Sequence, residues 1–139
     1  MARDGSFAIG DADLVQTKAL PASAGDASTT AFDLGAAQAN QDFLADCEML
    51  VSAPALTTTQ MPDTKTATYK VEESADNITF ATLLAAVISQ VGAAGAGAAA
   101  ATKRIRLPVN VKRYARLTVT TGAAAGDCSG ATMSVALKF

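Results

Sequence analysis

The C-terminal run of this chain alternates in polarity: Ala131, Met133, Val135, Leu137 and Phe139 fall on one side, Thr132, Ser134 and Lys138 on the other. A helix would scatter these residues around its axis, whereas a strand sends successive side chains to opposite faces. The same period of two recurs upstream. In 46–53, Cys47, Met49, Val51 and Ala53 oppose Asp46, Glu48 and Ser52, with Leu50 the exception. In 65–73, Ala67, Tyr69 and Val71 oppose Thr66, Thr68, Lys70 and Glu72. In 111–119, Val111, Ala115, Leu117 and Val119 share a side, with Arg113 the misfit.

The intervening stretches read as turns and shorter strands. Ser74-Ala75-Asp76-Asn77 is a turn, because Asp and Asn tolerate tight backbone geometry, and Ile78 and Phe80 are expected to resume the inward face beyond it. Short strands are expected at 28–35, closed by Gly35, and at 103–109, ending near Pro108; 36–46 reads as loop or one helical turn. Leu83, Leu84, Val87, Ile88 and Val91 have helical spacing, yet Val and Ile suit a strand, and a strand around 86–91 is the reading adopted. The low-complexity run at 92–101 is expected to be a mobile loop. Seven or eight short strands separated by turns point to an all-β fold, a jelly-roll-like β-sandwich over 28–139. Residues 1–27 read as an N-terminal arm or loose leader with at most a short strand near 7–9.

Composition alone would mislead. The chain has 32 alanines, which favour helices on intrinsic propensity, but only five Phe, two Tyr and no Trp. At 139 residues it holds one core, built from side chains of modest size. Two cysteines, Cys47 and Cys128, are too few for a disulfide framework and read as free buried thiols. No secretory signal and no membrane-spanning run is visible, so the expectation is a soluble protein made in a cytosol.

Charge is segregated along the chain. Residues 1–76 carry 12 acids and four bases, a net −8; residues 77–139 carry seven bases and Asp127 alone, a net +6. Such halves either neutralise each other within one monomer or offer patches of opposite sign to neighbouring copies.

Catalytic and cofactor chemistry finds no foothold. The absence of histidine removes Ser-His and Cys-His catalysis and the commonest transition-metal ligand. Glu72 and Glu73, the one adjacent carboxylate pair, would point to opposite faces of a strand. Asp4, Asp11 and Asp13 lack the spacing of a calcium loop. Gly95-Ala96-Gly97-Ala98-Ala99-Ala100 fits a dinucleotide fingerprint by letter, but Pro108 cuts short any helix that would follow, and no acid lies between Asp76 and Asp127 to hold a ribose. No cofactor or metal is expected. Lys103, Arg104, Arg106, Lys112, Arg113 and Arg116 form a basic cluster; with Tyr114 as its one aromatic, it suits a solvated or interface-pairing role better than nucleic-acid binding.

Three segments carry a family resemblance. The first runs through Gln16, Leu20, Ala22-Ser23, Ser28-Thr29-Thr30 and Phe32-Asp33-Leu34-Gly35. The second is 69–80, with Ser74, Asp76 and Phe80 at its marked positions, and the third is Leu107-Pro108 followed by Arg113-Tyr114-Ala115-Arg116-Leu117. In this order they resemble the capsid cement (decoration) proteins of tailed bacteriophages, over about residues 16–120. The chain departs from that pattern in the Ala-rich stretch at 92–101 and in Lys18-Ala19. The resemblance implies a jelly roll on the outer surface of a virion, clamping neighbouring major capsid protein subunits, and a homo-oligomer, with a dimer favoured. Neither nucleic acid nor membrane is an expected partner. Candidate contacts to shell or subunit are Arg3, Asp4, Phe7, Arg104, Arg106, Lys112, Tyr114 and Arg116. A purely structural role remains open for the third segment, with Tyr114 covering the sandwich surface and Arg113 pairing with Asp76 or Glu72. The competing function is a carbohydrate-binding module, which would need aromatic platforms; for an enzyme no residue set can be nominated.

Overall fold

A computed structural model describes residues 14–35 and 47–138. Nine strands follow one another among the described residues: β1 (Val15–Ala19), β2 (Gly25–Ser28), β3 (Phe32–Asp33), β4 (Glu48–Ala53), β5 (Thr66–Ser74), β6 (Ala81–Val91), β7 (Ala101–Arg106), β8 (Tyr114–Thr121) and β9 (Thr132–Lys138). They form two antiparallel sheets. One has the order β1-β9-β4-β7, and the other β2-β8-β5-β6, with β3 also on β8. With short β3 set aside, the chain passes from sheet to sheet in the order of an eight-stranded jelly roll.

The alternating runs became strands because each could bury one side. Met49, Val51, Tyr69, Val71, Leu117, Val119, Met133 and Val135 are fully buried between the sheets. Cys47 and Cys128 are both buried and free. Burial pushes the Cys47 thiol up to about 11, with Glu48 adding to the effect, and raises Cys128 as well.

Several expectations need correction. Residues 15–27, expected to belong to the leader, supply β1 and all of β2 but Ser28: β1 pairs with β9 from Val15↔Ala136 to Ala19↔Thr132, and β2 with β8. The reason is register. Leu20 is buried in the core and its amide bonds to Ala131, so this stretch closes one side of the sandwich. The expected strand at 7–9, the loop at 36–46, Phe139 and the Asp4, Asp11 and Asp13 cluster lie outside the described residues. Strand β7 ends at Arg106 and β8 starts at Tyr114, so Lys112 sits in the connecting loop rather than on a strand face.

Ile78 and Phe80 do not turn inward. The Asp76 carboxylate accepts from the backbone N–H groups of Ile78 and Thr79, each at 2.9 Å, which prolongs the turn and leaves Ile78 82% exposed. Phe80 lies on the outer side, beneath the Arg116 guanidinium at 3.7 Å from the ring centroid.

The helix-like spacing of 83–91 has a local cause. β6 pairs Ile88 with Tyr69 but Leu84 with Val71, and Thr82 with Glu72, so extra residues bulge out on β6 and shift the phase of its alternation. Ala86 sits in this bulge at φ 51°.

The Ala/Gly run expected to be a mobile loop is stitched down instead. Leu56 and Ala98 exchange backbone hydrogen bonds at 2.8 and 2.9 Å, Gly92 bonds Lys65 and Thr64, and the Gly95 amide donates to Asp63. Two glycines permit this approach. A Cβ on Gly92 would lie 2.2 Å from the Pro62 carbonyl oxygen, and one on Gly97, at φ 73°, would lie 2.0 Å from that of Leu56. Gly97→Ala is therefore expected to cost about 2 kcal/mol, from left-handed backbone strain plus the broken Leu56 bridge, read as a lowered midpoint of thermal unfolding. An unchanged midpoint would mean that the run is not held against Leu56.

Candidate functional site

The candidate contact residues divide between two opposite surfaces. Antiparallel pairing sets Glu48 opposite Arg106 on one side and Lys138 on the other, with Leu50 opposite Arg104. Because Met49 and Val51 point into the core, Glu48, Leu50 and their partners occupy the outer face of the β1-β9-β4-β7 sheet. Glu48 binds Arg104 at 3.2 Å and Arg106 at 3.7 Å, one carboxylate between two guanidinium groups. Most of the rest of this face is small: Thr17, Ser52, Thr102, Thr132, Ser134 and Ala136 occupy outer register positions, with exposed Val15 opposite Ala136.

The other sheet carries the remaining candidates on its outer face. Glu72 lies opposite Arg116 in register, and Lys70 opposite Thr118. One Glu72 oxygen accepts from Arg116 Nε at 2.8 Å and from Thr118 Oγ1 at 2.7 Å, with Arg116 Nη2 also 2.8 Å away; the other lies 3.3 Å from Lys70 Nζ. Ser28 joins through Thr118 at 2.7 Å. Burial works to raise the Glu72 pKa, but the hydrogen bonds from Thr118 and Arg116 outweigh it and hold the carboxyl below its ordinary value. Nearby, Arg113 grips Asp33 with two bonds of 2.8 and 2.9 Å and lies over the Tyr114 ring at 5.1 Å. Arg113 thus pairs internally, but with Asp33 rather than with Asp76 or Glu72. The Lys112 amide donates to Glu73 at 2.9 Å while its side chain is exposed. Arg3, Asp4 and Phe7 lie outside the described residues.

The ion pairs Glu48–Arg104, Glu48–Arg106, Asp33–Arg113 and Glu72–Arg116 each join the acidic half of the chain to the basic half. Neutralisation within one monomer is therefore realised. Glu48, Asp33 and Lys138 escaped notice as members of these clusters, and Glu72, expected beside Arg113, lies beside Arg116, because only the strand register decides which acid meets which base.

Two exposed carboxylates make the fold acid-sensitive. The Arg113 bonds, then the Gly35 amide, pull Asp33 from 3.8 to about 2. Asp76 falls equally far under the Thr79 and Ile78 amides and the Ser74 hydroxyl. A carboxyl depressed in the folded state contributes stability that is complete above its unfolded pKa and lost as pH falls through the folded one. Melting temperature is expected to be level above about pH 5 and to fall between about pH 4 and 2, with a shallower fall in Asp33→Asn and Asp76→Asn. Equal slopes in wild type and both variants would remove these two residues as the cause.

Among the described residues, no helix is long and apolar enough to cross a membrane. No protein-family model matches the chain, and no curated protein is similar to it.

Proposed function

We propose that this chain is a capsid cement (decoration) protein of a tailed bacteriophage, bound to the outer surface of the virion and clamping neighbouring major capsid protein subunits. The observation that carries the reading is that the second and third resembling segments meet in the fold. Glu72 and Arg116 are cross-strand neighbours joined at 2.8 Å, and Phe80 of the second segment stacks on Arg116 of the third. The resemblance therefore falls on one bonded unit of a jelly roll rather than on scattered letters.

A protein of this kind works by linkage. Bound to the assembled shell and not to its free subunits, it stabilises the shell by its binding free energy, repeated over many copies. Homo-oligomerisation finds support at β6, an edge strand of eleven residues with no charged side chain; the other edge strands carry Lys18 on β1, Asp26 on β2, and Lys103, Arg104 and Arg106 on β7. Charges on an edge discourage strand-to-strand pairing, and β6 lacks that protection.

The glycan-binding reading loses ground. The described aromatics outside the core are Phe80 and Tyr114, each with an arginine over its ring, so neither offers an open platform. The test is sedimentation of the purified protein with expanded shells of its own phage. Co-sedimentation, together with a higher shell disruption temperature, is the expected result. Protein that stays in the supernatant at every concentration overturns the reading.

A further inference from the structure

We propose that the docking face is the outer face of the β1-β9-β4-β7 sheet, and that it takes an acidic protein surface. This inference rests on the cement reading and names the face and the chemistry of its partner.

The fold redistributes charge in a way chain order does not. The outer face of this sheet carries Arg104, Arg106 and Lys138 around Glu48, a net +2, with Lys18 and Lys103 flanking it on the edge strands at positions opposite the core residues Met133 and Val51, whereas the outer face of the other sheet carries Lys70 and Arg116 against Asp26, Asp33 and Glu72, a net −1. Leaving Arg106 aside, Arg104 and Lys138 still face one carboxylate, and the edge lysines Lys18 and Lys103 add to the positive charge around it. On the opposite sheet Glu72 takes up both cations, at 2.8 Å from Arg116 and 3.3 Å from Lys70. The imbalance is presented to solvent: the Arg104 side chain is 57% exposed while Glu48 beside it is 26% exposed.

Relief is the second, independent observation. Around the basic corner the outer positions are Thr, Ser and Ala, with half-buried Leu50 and exposed Val15 among them. Such a plane lets another folded surface approach closely, and clustered positive charge orients and accelerates that approach when the partner is acidic. Nucleic acid fits less well. Glu48 stands among the cations, where it would repel phosphate, and the described residues of this face include no aromatic on which a base could stack.

Three single variants test the face on expanded shells. Thr102→Glu adds a carboxylate to this outer face, where Thr102 is exposed and pairs with Ser52, and breaks none of the ion pairs described above, so it reports on docking without disturbing the fold. Arg104→Glu attacks the corner itself. Thr68→Glu adds a carboxylate to the outer face of the opposite sheet, where Thr68 pairs with Thr120. Thr102→Glu and Arg104→Glu are expected to weaken shell binding about tenfold each, and the loss is expected to shrink in ~0.5 M salt, whereas Thr68→Glu changes it less than about twofold. Retained melting temperature of Thr102→Glu separates docking from folding. Loss of binding in Thr68→Glu, with Thr102→Glu unaffected, overturns the face. So do variants that alter self-association but not shell binding, or a wild type that binds duplex DNA more tightly than shells. Wild-type protein that never binds shells overturns the functional reading, and this face with it.

Discussion

Tyr69→Ala is expected to remove about 4 kcal/mol of stability, as for other large aromatic truncations in a close-packed core. Tyr69 is the largest fully buried side chain described and sits mid-strand on β5, between Val119 of β8 and Ile88 of β6. Its hydroxyl donates to Gln90 Oε1 at 2.8 Å, and Gln90 Nε2 donates in turn to the carbonyls of Pro54, at 2.7 Å, and Ala99, at 2.9 Å. One phenol therefore fills the centre and fixes the amide that ties β6 to the chain leaving β4 and to the Ala-rich run. Burial also pushes its pKa far above the ordinary tyrosine value, so it stays a donor at any working pH. Tyr69→Phe separates the two roles: the ring stays, Gln90 Oε1 loses its donor, and the expected cost is about 1–2 kcal/mol. Urea unfolding reads both as shifts in midpoint at constant slope. A Phe variant as damaged as the Ala variant would assign the effect to the hydrogen-bond chain and not to packing.

Most of the core could be read from alternation because burial between two sheets enforces a period of two. Cys47, Met49, Val51, Ala67, Tyr69, Val71, Ala115, Leu117, Val119, Met133, Val135 and Leu137 all face inward as expected. What alternation cannot carry is pairing. β1 and β2 have exposed or half-exposed positions throughout, since each is an edge strand with one neighbour, and so their sequences look like a leader. Bulges defeat the pattern on β6 for a different reason: its register against β5 slips between Ile88 and Leu84 and again between Leu84 and Thr82, which interrupts the alternation, and the neighbours Val87 and Ile88 are both buried. The 92–101 run misled because its order comes from backbone hydrogen bonds and close glycine contacts, which leave no trace in side-chain polarity. The candidate contacts shared this limit. Arg104 and Arg116 belong to one basic cluster in sequence but to opposite sheets, because the chain crosses from sheet to sheet between β7 and β8.

Glu72→Ala carries the second large effect and decides what the resembling segments mark. The substitution removes the single acceptor shared by Arg116, Lys70 and Thr118, and leaves the Arg116 guanidinium, with its side chain only 27% exposed, over Phe80 without its counter-charge. Breaking a fully buried pair from one side costs about 3–5 kcal/mol; here the cations keep some water, and about 2–3 kcal/mol is expected. Arg116→Ala should cost less, because Glu72 keeps Lys70 and Thr118. The Glu72→Ala, Arg116→Ala double variant should fall short of the sum of the singles by about 1–2 kcal/mol, the signature of direct coupling. These variants are measured for unfolding and for shell binding alike. A large loss of stability with shell affinity kept in the remaining folded fraction means that Glu72, Phe80 and Arg116 build the sandwich and the docking face lies elsewhere. Full stability with lost shell binding would put the site on the β2-β8-β5-β6 sheet. The bonded geometry favours the first outcome: all of Glu72's charge is directed at its own strand neighbours, whereas the cations around Glu48 on the opposite sheet outnumber the carboxylate they share.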